Sequence, residues 1–427
     1  MLAAHGSVAE VATVVLLLVV ALAVGLAARR LRFPYTLALV IVGFALGFFH
    51  VLPDLMLNPD LVLFLFLPAL LFEGAWNLNT EALLADWLII FVLAVPGLAI
   101  SLAIIALILH LGAGLPVLIA VLVGTIVSPT DPVAVLGLLK QLGMPARLRT
   151  IIDGESLFND GVGSAAYVLG LAILLMSIGR PSELLGLAGY MIILKGIWLF
   201  VGGPVLGIAI GLVVVTAMRR VDDHLIETTV TFSVAYGSYV IGTLLGTSGL
   251  LCVVGAGLVL GNYGRRTAMS KRTRYAVSDI WEFTAYVANS LLFLLVGDQI
   301  GATDFAGALG YVVWAVVAVI LGRAVLAFIL VPLHNLFVLA SERVLSRGNR
   351  EHGQLAPVPF LWRPLILLSG LRGALSLALV LSLPEGIPDR QILIVTVFGV
   401  VLVTLVGQGV GLRIILPRWP AAKPQTQ

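Results

Sequence analysis

From residue 8 to residue 415 the chain is a succession of apolar runs of bilayer-crossing or nearly bilayer-crossing length, separated by short polar clusters. Crossing about 30 Å of hydrocarbon takes roughly 20 apolar residues in a helix. On that rule, spans fall near 8–28, 34–49, 61–76, 83–109, 115–140, 149–176, 187–216, 225–245, 247–262, 277–300, 307–333, 357–383 and 391–415. The thirteen runs predict an all-α polytopic membrane protein. Charged side chains make up 11% of the 427 residues, where a soluble domain carries about a quarter, so an ordinary water-facing globule is excluded. The formal charge of +3 does not argue for nucleic acid, because the basic residues sit in short clusters between spans and not in one patch. Cys252 is the chain's one cysteine, which excludes an internal disulfide framework and a thiolate metal cluster.

The loop cations set the topology. With the N-terminus outside, cytoplasmic segments hold Arg29, Arg30 and Arg32; Lys140, Arg147 and Arg149; Arg219 and Arg220; Arg265, Arg266, Lys271, Arg272 and Arg274; Arg343, Arg347, Arg350 and Arg363; and Arg413, Arg418 and Lys423. The outside segments hold Arg180 and Arg390. This is the asymmetry of the positive-inside rule, and it predicts a multi-pass protein of the cell (inner) membrane with a cytoplasmic C-terminus. The first run is followed by arginines and not preceded by them, so it is expected to be a retained span and not a cleaved signal peptide. After the last span, which ends near 415, only a short cytoplasmic tail, 416–427, is expected, without a soluble regulatory domain.

Two spans break the helical rule at corresponding places in the two halves. In 115–140, Ser128-Pro129-Thr130-Asp131-Pro132 puts two prolines and a carboxylate in mid-membrane; each proline removes a backbone donor and clashes with the preceding turn. In 357–383, Ser369-Gly370-Leu371-Arg372-Gly373 puts a cation between glycines. Paired interrupted helices point to a secondary transporter with inverted repeats and a midplane site.

Ionisable groups at membrane depth are costly, so they default to paired or functional roles. In Asp153-Gly154-Glu155-Ser156-Leu157-Phe158-Asn159-Asp160, helical spacing puts Ser156 with Asp160 on one face and Glu155 with Asn159 on another. Asp160 on the Ser156 face suits the unwound Thr130-Asp131 segment, since opened carbonyls, carboxylates and a hydroxyl make an oxygen cage for a hard cation. Glu155 needs a cation, and is expected to pair with Arg323 as a structural ion pair. Arg372 is expected to neutralise the half-helix end facing Asp131, and Asn159 to act as a hydrogen-bonding brace. Lys195 is expected to snorkel or meet a lipid headgroup. Gly246-Thr247-Ser248-Gly249 matches an intramembrane serine-protease motif, but small-residue helix packing accounts for it better. No glycine-lysine phosphate loop supports ATP-driven transport, and no cofactor is expected.

Thr130-Asp131-Pro132-Val133-Ala134-Val135, Gly154-Glu155-Ser156-Leu157-Phe158-Asn159-Asp160-Gly161, Gly322-Arg323 and Gly370-Leu371-Arg372-Gly373-Ala374 together resemble the signature set of the cation/proton antiporters, specifically the NhaP-like sodium/proton exchangers. Asn289-Ser290, where animal exchangers carry a glutamate, suggests a prokaryotic type. The resemblance implies the NhaA-like fold of thirteen spans, with two crossed discontinuous helices, and a homodimer. It implies an ion-translocating core including 83–176 and 277–383, and a dimerisation domain including 8–76, 187–262 and 391–415. It further implies Asp160 as the ion and proton carrier; Asp131, Ser156 and the Thr130 carbonyl as completing the Na+ site; Asn159 as a brace on Thr130; Glu155 with Arg323 as the structural pair; and Arg372 at the unwound crossing. The expected function is electroneutral Na+/H+ exchange, not catalysis. The one-for-one ratio is implied by asparagine at 159, where electrogenic relatives have aspartate. A K+/H+ or other monovalent selectivity, with Li+ among the candidate ions, is the alternative, and a cation channel is a weaker one.

Overall fold

The computed structural model describes residues 2–31, 33–51, 59–131, 136, 139, 143–180, 189–220, 223–345 and 356–415. Arg32, Pro132, Lys140, Arg347, Arg350, Arg418, Lys423 and the tail 416–427 lie outside them. The described residues form helices and no strand, and each expected span has a helical counterpart. The principal helices are α1 (Leu2–Leu31), α2 (Tyr35–Phe48), α3 (Leu67–Asn77), α4 (Trp87–Ala113), α5 (Val117–Val127), α6 (Ala146–Ser177) and α7 (Tyr190–Met218). There follow α8 (His224–Leu244), α9 (Gly249–Leu258), α10 (Lys271–Gly301), α11 (Leu309–Ser341), α12 (Arg363–Leu368), α13 (Ala374–Leu381) and α14 (Arg390–Leu412). Among the described residues, seven helices are long and apolar enough to cross a membrane by themselves.

Prolines inside spans loosen these helices without ending them. Wide, π-type turns occur at Leu61–Phe66, just before Pro68; at Leu93–Gly97, around Pro96; at Trp198–Gly202, just before Pro204; and at Leu326–Leu330, before Pro332. A proline lacks the N–H that would close the normal turn and crowds the carbonyl four residues back, and a wider turn relieves both.

Packing sorts the helices into two groups. One holds α4, α5, α6, α11, α12, α13 and α14; the other holds α1, α2, α3, α7, α8, α9 and α10. The second is built on very close approaches. On α2 and α10, Gly43 and Gly47 face Gly297 and Gly301 so tightly that a Cβ on Gly47 would collide with the Asp298 carbonyl, and one on Gly301 with that of Phe44. Small residues at fourfold spacing allow this where no water-driven force pulls helices together. Trp281 of α10 is sandwiched by Phe72 and Phe232, each 4.5 Å away between ring centroids, and donates to Thr231 Oγ1 at 3.0 Å, tying α3 and α8 to the same helix. Replacing Gly47 with leucine is therefore expected to cost at least the roughly 1–3 kcal/mol of an overpacked core. The yield of monodisperse protein and its melting temperature should both fall, whereas Gly310→Leu, on an open face of α11, should change neither.

Arg147, among the loop cations, also ties helix ends together. Arg147, at the start of α6, grips Asp86 through Nε and Nη2 at 2.8–3.1 Å, donates to the Ala356 and Pro357 carbonyls, and lies over Trp362. It staples together the ends of α4, α6 and α12.

Candidate functional site

The two interrupted spans meet at their breaks. α5 ends at Val127, and Pro129, Thr130 and Asp131 are non-helical; beyond them, Leu136 and Leu139 are again helical. α12 ends at Leu368 and α13 begins at Ala374. The unwound strands join directly, the Asp131 N–H donating to the Leu371 carbonyl at 2.8 Å. Ser376 Oγ also donates across, to the Ile126 carbonyl at 2.7 Å.

Each break leaves carbonyls at the end of the preceding half-helix without an intrahelical partner, and in each case an arginine from elsewhere takes them. Arg372 Nη1 donates to the Ser128 and Pro129 carbonyls at 2.8 and 3.0 Å, at the end of α5. Its positive charge also suits the negative end of the helix dipole. Arg323 of α11 donates through Nε to the Ile366 carbonyl at 2.9 Å and through Nη2 to Ser369 Oγ at 3.2 Å, at the end of α12. Glu155 balances Arg323 in a two-pronged ion pair, Nη1 to Oε1 and Nη2 to Oε2. Both partners are about 98–99% buried, at 2% and 1% exposed. Gly370 is required here, since a Cβ would meet the Arg323 side chain; a Cβ at Gly373 would strike the Asp131 carboxylate.

The unwound Thr130 is held from α6. Its N–H donates to Asn159 Oδ1 at 3.2 Å, Asn159 Nδ2 donates back to Thr130 Oγ1 at 2.8 Å, and that hydroxyl lies 3.0 Å from Ser156 Oγ. Thr130, Ser156 and Asn159 are all buried. Asn159 thus spends both ends of its amide on Thr130. Ser156 is engaged with the Thr130 hydroxyl and is not among the residues lining the adjoining cavity.

That cavity, about 300 Å³, is lined by Asp160, Asp131 and Thr130 together with Glu73, Asp153 and Asn289. Asp131 and Asp160 are close enough to interact electrostatically, and Arg372 acts on Asp160 in the same way. Asp131 rests against Gly373, at the N-terminal end of α13, where a helix dipole favours negative charge. Four carboxylates converging on a concave surface focus a field that concentrates cations. Glu73, Asn77 and Asp153 line the cavity at the C-terminal end of α3 and in the N-terminal half of α6.

Of the residues singled out in the sequence, Asp160, Asp131 and Thr130 come together around one cavity, while Glu155, Arg323, Arg372 and Asn159 hold the crossing beside it. Reading the sequence missed Glu73, the one charged residue in the run 61–76, because it lies about one turn from the end of that run. It also missed Thr404, whose hydroxyl accepts from the Arg372 N–H at 3.2 Å and which carries no sequence signal. Ser248 caps α9, accepting from the Leu251 N–H at 3.4 Å, and donates to the Gly161 carbonyl, a structural role. Lys195 is half-buried on α7.

The sequence profile described as sodium/hydrogen exchanger, transmembrane, matches residues 14–418. The chain is 40% identical over 387 residues to the low-affinity Na(+)/H(+) antiporter NhaS1 of Synechocystis sp., covering 90% of this chain and 69% of that protein. It is 31% identical over 418 residues to the Na(+)/H(+) antiporter NhaH of Halobacillus dabanensis, covering 95% of this chain and 96% of that one. Its fold is similar to that of the sodium proton antiporter MjNhaP1 from Methanocaldococcus jannaschii, with a TM-score of 0.73 over 96% of this chain and 98% of that one, at 17% identity.

Proposed function

The chain belongs to the transmembrane sodium/hydrogen exchanger family, and on that premise we propose that it is a secondary active Na+/H+ antiporter in which the two ions compete for Asp160. The observation that carries this reading is the single cavity on which Asp160, Asp131 and Thr130 converge at the crossing of two broken helices. A dehydrated sodium ion needs several oxygens. The two carboxylates and the Thr130 carbonyl, with Ser156 close behind through its contact with the Thr130 hydroxyl, supply them. The carboxylate of Asp160 holds either a proton or the cation, because a bound cation disfavours the protonated form. Competition at one site couples the two fluxes with no further machinery.

Alternating access then requires the site to move past something that stays. The group α4, α5, α6, α11, α12, α13 and α14 contains every residue of the crossing, and we assign it as the moving unit. The group built on the α2–α10 glycine contacts is assigned as the scaffold, with the homodimer contact on its side. This division differs from the one the family resemblance implies at two spans. The run 277–300 packs into α2, and 391–415 packs against α11 and α13, so the two exchange places. With the arginine-rich ends taken as cytoplasmic, the cavity faces the cytoplasm.

Asparagine at position 159 is committed to Thr130 and brings no second titrating group to Asp160, which supports one-for-one, electroneutral exchange. In proteoliposomes an imposed sodium gradient should drive proton movement of opposite direction. Its rate should be the same whether the membrane potential is clamped at zero or set by potassium with valinomycin; a rate that follows the potential overturns the ratio, and no sodium-driven proton flux overturns the function.

A further inference from the structure

We propose that Asn289 is a sodium ligand supplied by the scaffold, engaged when the site is open on the Glu73 side and left behind when the site moves. The proposal rests on the exchange reading above and extends it. Asn289 Oδ1 is buried, lines the same cavity as Asp160 and Asp131, and accepts no hydrogen bond among the described residues. Buried amide oxygens are almost always satisfied, and one left bare is unfavourable. Its neighbours on the scaffold side of the cavity wall, Leu67, Leu71 and Leu292, have no side-chain donor to offer. What the cavity is shaped and charged to admit is a cation, and a neutral amide carbonyl is an ordinary ligand for a hard one.

Two consequences separate Asn289 from the carboxylates. Asp160 accepts both transported ions, whereas an amide oxygen has no useful affinity for a proton near neutral pH. Asn289 therefore discriminates, favouring sodium over the proton at this face. It also lies on α10, which is locked to α2 by the glycine contacts, while Asp160 and Asp131 lie in the other packed group. Relative movement of the two groups parts the amide from the carboxylates, so its contribution belongs to one face of the membrane only.

The test is the sodium dependence of exchange in proteoliposomes holding protein of one orientation, with sodium presented at either face. For Asn289→Leu, of nearly the same size, the sodium KM at the Glu73 face should rise about five- to tenfold, the scale of one lost polar contact. The KM at the opposite face, the maximal rate at saturating sodium, and the proton dependence at saturating sodium should stay within about twofold. Asn289→Asp, which keeps the oxygen, should leave the KM at the Glu73 face unchanged or lower it. An unchanged KM for Asn289→Leu at both faces, an equal rise at both, or a fallen maximal rate with KM intact would overturn the proposal. If the leucine variant does not reach the membrane folded, Asn289→Ala against Asn289→Asp carries the same comparison. Wild-type protein in the same vesicles reports separately on the exchange reading, because its failure there would appear as no sodium-driven proton flux at all.

Discussion

Asp160→Asn is expected to reduce sodium/proton exchange to the level of vesicles without the protein, while leaving a folded, membrane-inserted chain. Asparagine keeps the size of the side chain and one of its oxygens, but it can neither take up a proton nor offer the charge that offsets dehydration of the cation. Both halves of the competition are removed at once. The carboxylate faces the cavity and is not itself a wall of the crossing: the bonds that hold the crossing run through Asn159, Ser156, Ser376, Arg323 and Arg372. Folding should therefore survive. The measurement is the collapse of a preformed pH gradient in everted vesicles on adding sodium, read beside the melting temperature of the purified variant. A variant that still dissipates the gradient would sink the assignment of Asp160. Asp160→Glu, which keeps the carboxyl but moves it by about one bond length, is expected to retain partial exchange with altered sodium affinity.

Breaking the Glu155–Arg323 pair is expected to give the largest loss of stability of any single substitution near the site. Removing one member of a buried ion pair typically costs about 3–5 kcal/mol, because the other charge is left uncompensated in low dielectric. Here the loss goes further, since Arg323 also takes the Ile366 carbonyl and Ser369 Oγ at the end of α12. Arg323→Leu strands the Glu155 charge and releases those two groups together, whereas Glu155→Leu strands the arginine but leaves its bonds to α12 in place. Arg323→Leu should therefore be the more damaging of the two. The double variant should recover most of the charge cost and keep the deficit at Ile366. Thermal unfolding of the two singles and the double closes the cycle. Additive losses with no recovery in the double would show that the pair does not act as a unit.

The two arginines play matching parts, which explains why sequence reading could place one of them more fully than the other. Arg323 has an obvious partner by elimination, because Glu155 needs a cation and few cations lie within spans. Arg372 has no single carboxylate to find: its bonds go to the backbone carbonyls of Ser128 and Pro129. Backbone acceptors are the same at every residue, so nothing in the chain marks which ones a distant arginine will reach. Arg372 reaches from within the second break to the first, and Arg323 reaches from α11 to the second.

Glu73 and Asn289 show a different limit. Asp160 stood out because it lies deep in a span with other polar residues beside it. Glu73 sits one turn from the end of a short span, where a carboxylate passes for the beginning of a loop. It joins the cavity only because α3 packs beside α6 and α10. Asn289 is an uncharged residue in an apolar run, and its amide acquires a use only from what α10 is placed against. The grouping of spans was likewise not a matter of chain order. The run 277–300 lies close in sequence to the second broken helix, yet Gly297 and Gly301 commit it to α2.

What the sequence by itself determined was the all-helical, membrane-spanning character of the chain, the two places where helices must break, and the carboxylate most in need of a function. These follow from the cost of placing charge and unsatisfied backbone in hydrocarbon, which is paid locally and is therefore visible locally. What only the tertiary structure decided was which carbonyls the arginines cap, which helices form one rigid group, and which side chains from separate spans share the cavity with Asp160. Those depend on helix contacts between distant residues, and in lipid such contacts are set by the fit of small residues against backbone and not by any pattern a single span displays.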